Sequence, residues 1–215
     1  MNSFVLLFFL HTVVATFLLG GKFVMRRDDR VFKFFGIALL LDAVAFLAWS
    51  FGLIQPASLL ICVTLGAIAF LVSMVFLFYV SFHKVQEVTT RWVLMALGIL
   101  AVCGVFYIGR YMDPADAYIS QEGLFFFNLG PLVQMLYIFV LALAALPAID
   151  LLASKFKAPY STLVRYGFIA EVVGGIMLIT SKDIQVLYIS GWVIGIVYFV
   201  LWTTLLFSRK AWSNN

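Results

Sequence analysis

The stretch that decides the fold is Leu163–Ser181, LVRYGFIAEVVGGIMLITS, an apolar run with one carboxylate, Glu171, near its centre. A run of roughly 20 such residues is long enough to cross the hydrocarbon core of a bilayer. A carboxylate at that depth costs about 2.5–3.5 kcal/mol unless it faces the protein interior and finds a partner. Gly174 and Gly175 share its helical face and allow a neighbouring helix to approach closely. The stretch therefore predicts a membrane-spanning helix whose Glu171 points into a bundle.

The composition agrees with a membrane protein. Hydrophobic residues make up 65% of the 215 residues, charged residues make up 11%, and the mean hydropathy is +1.11. A water-soluble domain with that balance could not cover its surface with polar groups. The two cysteines, Cys62 and Cys103, lie inside apolar runs without disulfide or metal-ligand spacing, and we expect both in the core.

Seven apolar runs follow one another along the chain, and each is long enough to span a bilayer. We therefore predict an all-α integral membrane protein that forms one seven-helix domain over residues 1–215. We also expect Pro131 to start or kink the fifth run and Pro147 to kink it again. The predicted spans are residues 3–23, 31–54, 59–82, 92–112, 124–154, 163–181 and 184–207.

The lysines and arginines predict the orientation. Twelve of the 14 fall on one side of the predicted spans, and only Arg110 and Lys182 fall on the other. Cytoplasmic segments of membrane proteins carry this excess, so we expect an outside N-terminus and a cytoplasmic C-terminus. The same bias explains the pI of about 9.1 without nucleic-acid binding. We expect a multi-pass protein of the plasma (inner) membrane.

A faint internal similarity relates the second and third runs to the sixth and seventh. FFGIALLLD at 34–42 resembles YGFIAEVVG at 166–174, and residues 65–84 resemble residues 191–210. The similarity suggests a 3+1+3 arrangement with parallel halves.

Three ionisable residues, His11, Asp42 and Glu171, fall near the middle of their runs. Ionisable groups inside a span are functional candidates by default. Together they could form a proton relay, a cation site or a polar ligand pocket. The alternative is a set of interhelical hydrogen bonds that holds the helices together. For His11 alone we favour this structural role.

Aromatic and polar residues around these groups suggest an interior pocket. Trp49 shares a face with Asp42, and the last run carries a stripe of aromatic and glycine residues at helical spacing. Helix packing or an interfacial aromatic belt is the simpler explanation for each stripe. The candidate pocket residues are Trp49, Gln134, Tyr137, Tyr188, Tyr198 and Trp202.

Several chemistries lack their sequence signals. The last run has no mid-span lysine for retinal, and His11 and His83 are not at the matched depth that haem ligation needs. Intramembrane-protease, zinc-protease and phosphate-loop motifs do not occur. We therefore expect no enzymatic activity, no cofactor and no metal.

Three stretches resemble the seven-helix sensory module found at the N-terminus of some bacterial histidine kinases and diguanylate cyclases. They are LDAVAFLAWSFGLI at 41–54, GLFFFNLGPLVQMLYIF at 123–139 and SKFKAPYSTLVRYGF at 154–168. The resemblance implies a sensor-like membrane module. Only six residues follow Arg209, so we expect a free-standing module that acts through a protein partner or within a membrane complex. The alternative is a small-solute or proton-coupled transporter that uses Asp42 and Glu171 as coupling groups.

Overall fold

The computed structural model describes residues 3–26, 29–112, 117–120 and 125–208, and these ranges contain seven α-helices. Six of the helices are long and apolar enough to cross a membrane. The helices are α1 (Ser3–Val24), α2 (Arg30–Ile54), α3 (Leu59–Ser81), α4 (Val88–Tyr111), α5 (Pro131–Ala153), α6 (Tyr160–Thr180) and α7 (Ile184–Phe207). Single 3-10 turns lie at Pro56–Ser58 and Phe82–Lys84, and the antiparallel strands β1 (Tyr118–Ile119) and β2 (Phe125–Phe126) form a short hairpin.

The predicted start of the fifth span at residue 124 was wrong, whereas the expectation that Pro131 could start it is confirmed. The helix begins at Pro131, whose missing N–H is not needed in the first helical turn. Before it, Phe126 and Phe127 are buried in the bundle as part of the hairpin and its loop. Asn128 has φ 42°, a left-handed conformation that asparagine tolerates better than most residues. The apolar residues before Pro131 therefore belong to the hairpin and the loop that follows it. The helix α5 itself continues through Pro147.

The helices form a ring that closes between the first and the last. Along it, α1 packs against α2, α2 against α3, α3 against α5, α5 against α6, α6 against α7 and α7 against α1. The remaining helix, α4, packs chiefly against α3 and α5, which also touch each other. Many large apolar side chains of α4 are exposed, including Trp92 and Leu100. Cys103 is exposed on α4 and Cys62 is only partly buried, so the expectation of two core cysteines was wrong.

Glycines set the closest helix approach. A Cβ atom on Gly36 of α2 would lie 2.7 Å from the carbonyl oxygen of Gly20 on α1. On α3, a Cβ atom on Gly66 would lie 2.6 Å from Cδ1 of Trp49. Since no larger residue fits at either point, these glycines bring α2 against both of its neighbours in sequence.

Polar contacts tie one end of the bundle together. Lys22 Nζ donates to the carbonyl oxygens of Leu205 and Leu206, at 2.9 and 2.6 Å, in the last turn of α7. Lys155 Nζ lies 2.7 Å from Asp29 Oδ2, which joins the α5–α6 connection to the start of α2. We call this end, which carries Lys22, Asp29 and Lys155, the basic end.

A second ion pair joins α5 to α6: Asp150 Oδ1 lies 2.7 Å from Arg165 Nη2. Lys155 is engaged by Asp29, because the ring brings the α1–α2 and α5–α6 connections to the same end.

Candidate functional site

Asp42 and Glu171 line one cavity inside the ring, which we call the carboxyl cavity. Its volume is about 70 Å³, and its walls come from α2, α3, α5, α6 and α7. Apart from the two carboxyl groups and Ser73, the lining residues are apolar or aromatic, or glycine. The structure therefore brings together the two acids that the sequence singled out.

Glu171 is directed into the bundle, as predicted. Its Oε1 atom accepts a hydrogen bond from the hydroxyl of Tyr198 on α7, and Tyr198 is fully buried. Its Oε2 atom is buried and has no hydrogen-bond partner among the described residues. Gly174 allows the close contact between α6 and α7, since a Cβ atom there would lie 2.6 Å from Cγ1 of Ile194. Gly175 lines the cavity and has no atom within 4 Å of the position that a Cβ would take.

Asp42 is the more deeply buried acid, with 8% of its surface exposed. Ser73 of α3 lies beside it. The hydroxyl of Ser73 lies 2.8 Å from the carbonyl oxygen of Phe70 and is also within hydrogen-bond reach of the Asp42 carboxyl group, and its lone pairs can accept from another donor. Asp42 Oδ1 is buried without a hydrogen-bond partner in the described part of the chain. The cavity thus holds one unsatisfied oxygen from each acid.

The cavity is narrow and elongated. Its lining on α2 runs from Phe35 to Trp49, which at 1.5 Å per residue is about 21 Å along the helix. Asp42 lies halfway along this lining, and Glu171 lines the same cavity from α6. A water molecule needs roughly 10–15 Å³ of such volume, whereas a cavity that takes benzene has about 150 Å³. The carboxyl cavity therefore has room for a few waters or one very small ligand.

His11 does not share this site. It lies in a separate groove of about 350 Å³ between α1 and α7, with Gly191, Gly195 and exposed apolar side chains. The predicted cluster of three ionisable groups is therefore a pair. His11 faces a groove between α1 and α7 and not the carboxyl cavity.

The predicted pocket residues have different positions. Trp49 lines the cavity, and the hydroxyl of Tyr198 donates a hydrogen bond to Glu171. Tyr137 stacks on Phe70 at 5.6 Å between ring centroids and lines another cavity, one that Arg110 also lines. Gln134 and Tyr188 do not line the carboxyl cavity: Gln134 Nε2 donates to the carbonyl oxygen of Thr180, and Tyr188 packs against the core. The side chain of Trp202 lies outside the described residues.

Two residues at or beside the cavity were not predicted from the sequence. Ser73 is a buried polar residue within the strongly apolar run of α3. A polar residue isolated in such a run was the sequence feature that could have identified it. Phe127 packs edge-on against Trp49 at 4.9 Å between ring centroids. No sequence pattern indicates that this loop residue enters the bundle.

The described residues contain no group of three or more His, Cys, Asp or Glu side chains that could hold a metal ion. Comparison with protein-family models, with curated proteins and with solved structures finds no match for this chain. The site's geometry alone therefore supports the proposals that follow.

Proposed function

We propose that this chain is a non-enzymatic, seven-span membrane protein that binds a small ligand in the carboxyl cavity and acts through a protein partner. The observation that carries the proposal is the cavity itself, which holds one unsatisfied oxygen each from Asp42 and Glu171. An acceptor left unsatisfied in a protein interior costs about 1–3 kcal/mol. A ligand that donates to both oxygens would recover that cost.

The proposal includes the orientation and the compartment. The basic end faces the cytoplasm, the N-terminus lies outside and the membrane is the plasma membrane. Support comes from the twelve basic residues on one side of the spans. A partner protein would carry the output, as the resemblance to sensory modules implies.

Capture of the partner tests this function. The full chain, with an affinity tag, is expressed in its native membrane, cross-linked, solubilised and purified. We expect one signalling protein or one membrane complex to co-purify in fixed proportion. A second sample, with Glu171→Gln, should capture the same partner with altered efficiency, since the occupied cavity is proposed to set the interaction. Purification of the chain alone from cross-linked membranes would contradict the proposal.

A second candidate function is transport of a proton or small solute through the ring. The elongation of the carboxyl cavity along α2, with Asp42 halfway, is the observation that favours it. The suggested 3+1+3 repeat would also suit a transporter. Proteoliposomes with an imposed pH gradient separate the two functions. Flux that Asp42→Asn abolishes supports transport, whereas tight vesicles with a bound partner support the sensor-like module.

A further inference from the structure

We propose that the ligand of the carboxyl cavity is a small, unbranched primary ammonium ion, of the size of ethylammonium. This inference rests on the proposed function as a binding module and names its ligand class. Three properties of the cavity carry it: its set of acceptors, its apolar walls and its shape.

The acceptors match an ammonium group. A primary ammonium ion has three N–H donors and no acceptor. Asp42 Oδ1 and Glu171 Oε2 are buried acceptors without a described partner, and the hydroxyl of Ser73, which lines the same cavity, has lone pairs that can accept. Hydrogen bonds from a cation to a carboxylate are about twice as strong as neutral ones. If one acid is ionised and the other protonated, the occupied cavity carries no net charge, as burial in an apolar bundle requires.

The walls match a short alkyl chain. Phe35 and Phe168 both line the cavity, and their rings pack edge-on at 5.1 Å between centroids. Phe46 and Trp49 line it further along α2. Aromatic faces attract cations and also bury methylene groups well. A divalent metal fits poorly, since calcium takes about 6–8 oxygen ligands.

The shape limits the size of the ligand. A volume of about 70 Å³ excludes drug-sized molecules, whose pockets are about 300–1,000 Å³. By comparison with the roughly 150 Å³ that accommodates benzene, the cavity suits about three non-hydrogen atoms. Ethylammonium satisfies both the size and the donor requirement.

Calorimetric titration of the purified full chain with ethylammonium chloride tests the inference. We expect saturable binding of ethylammonium, at least tenfold weaker binding of ethanol, which lacks the charge, and no binding of tetramethylammonium, which lacks N–H donors. Asp42→Asn and Glu171→Gln should each weaken ethylammonium binding at least tenfold while the helical circular dichroism stays unchanged.

A pair of glycine variants distinguishes the filling of the cavity from a general effect of a glycine-to-leucine substitution. Gly175→Leu fills the cavity while leaving both acidic residues in place and should abolish binding. Gly104→Leu on α4 is the matched control, because a Cβ atom there also meets nothing within 4 Å and the residue does not line the cavity. It should bind like the wild type. The comparison of the three ligands uses the wild-type protein, so its outcome does not depend on whether any variant folds.

The inference is overturned if ethylammonium does not bind saturably, if ethanol or tetramethylammonium binds equally well, or if Gly175→Leu binds like Gly104→Leu. A site that holds only water gives the first of these results. If ethylammonium fails while cross-linking still captures a partner, the proposed function stands and this inference falls. If ethylammonium binds but is carried across proteoliposomes and no partner is captured, the inference stands and the sensor-like function falls.

Discussion

Tyr198 on α7 donates a hydrogen bond to the carboxyl group of Glu171, which lines the carboxyl cavity. This bond joins the cavity to α7. Glu171 projects from α6, so this bond fixes the direction of a carboxyl group between two helices. Because Tyr198 is fully buried, removal of its hydroxyl leaves Glu171 Oε1 without its donor inside the bundle. The orientation of Glu171 should therefore depend on this single phenol.

We expect Tyr198→Phe to lower the free energy of unfolding by about 1–3 kcal/mol, since it leaves both carboxyl oxygens of Glu171 without a partner. Thermal unfolding of the purified protein, followed by circular dichroism, measures the change. Tyr166→Phe is the matched control, because Tyr166 lies on the same α6 and is 66% exposed. Equal unfolding temperatures for the two variants would show that the hydroxyl of Tyr198 contributes nothing.

The sequence predicted the depth of His11, Asp42 and Glu171 but not which of them meet. Depth follows from a residue's place along its apolar run, since each residue adds about 1.5 Å. The direction of a side chain around the ring depends on how each helix is rotated against its neighbours. The polar residues of α1 lie on more than one face, with Thr12 and Thr16 on one and His11 on another, so its sequence does not indicate that rotation. His11 could therefore not be separated from the two acids before the packing was known.

Adjacent glycines on α6 have opposite roles at the scale of the element. Gly174 is in contact with α7, whereas Gly175 faces empty space in the carboxyl cavity. The sequence predicted that a neighbouring helix would approach this pair, and Gly174 confirms it. The space beside Gly175 arises from the ring and has no signature in the sequence.

Gly174→Ala should destabilise the protein by about 1–3 kcal/mol, because its Cβ would lie 2.6 Å from Ile194 and force α6 and α7 apart. Gly175→Ala should be neutral or stabilising by up to about 1 kcal/mol, since alanine favours helix and nothing opposes the added methyl group. Chemical unfolding of both variants beside the wild type gives the comparison. The reverse order of stabilities would contradict the α6–α7 packing.

The boundaries of most helices could be predicted because polar and turn residues interrupt the apolar runs. The span at 184–207 agrees with α7 at both ends. The fifth span failed because a buried loop and a membrane helix share the same apolar composition. The phenylalanines at 126 and 127 are buried by tertiary packing, which a count of apolar residues does not distinguish from membrane insertion.

At the scale of the whole molecule, the ion pair between Asp29 and Lys155 holds two connections together at the basic end. Burial raises the pKa of Asp29, but the hydrogen bonds from Lys155 and from the backbone amide of Val31 outweigh it, so the pKa lies below its ordinary value of 3.8. A carboxyl group with a lowered pKa stabilises the folded state above the unfolded-state pKa. That contribution is lost as the pH falls through the folded-state value.

Asp29→Asn should therefore lower stability at neutral pH by at most about 1 kcal/mol, the size of an exposed pair. The difference from the wild type should shrink as the pH falls below about 4, where the wild-type carboxylate itself becomes protonated. Asparagine can still accept from the amide of Val31, so the helix cap is retained. Thermal unfolding at neutral and acid pH measures both differences. A deficit that grows on acidification would contradict the assigned role of the carboxylate.

The proposed orientation predicts which end of the molecule an impermeant thiol reagent can reach. In a variant with Cys62 and Cys103 replaced by alanine, Lys157→Cys at the basic end should not react in intact cells. Tyr118→Cys in the hairpin, where Tyr118 is 43% exposed, should react readily. Permeabilised cells provide the control for reactivity at both positions. Labelling of residue 157 from outside intact cells would contradict the proposed orientation.

The most direct test of the carboxyl cavity as a binding site is a high-resolution structure of the protein purified from its native membrane into a lipid nanodisc. The account predicts non-protein density within hydrogen-bond distance of both Asp42 Oδ1 and Glu171 Oε2, the two oxygens without described partners. A cavity closed by its own side chains, with both oxygens bonded to protein groups, would contradict it.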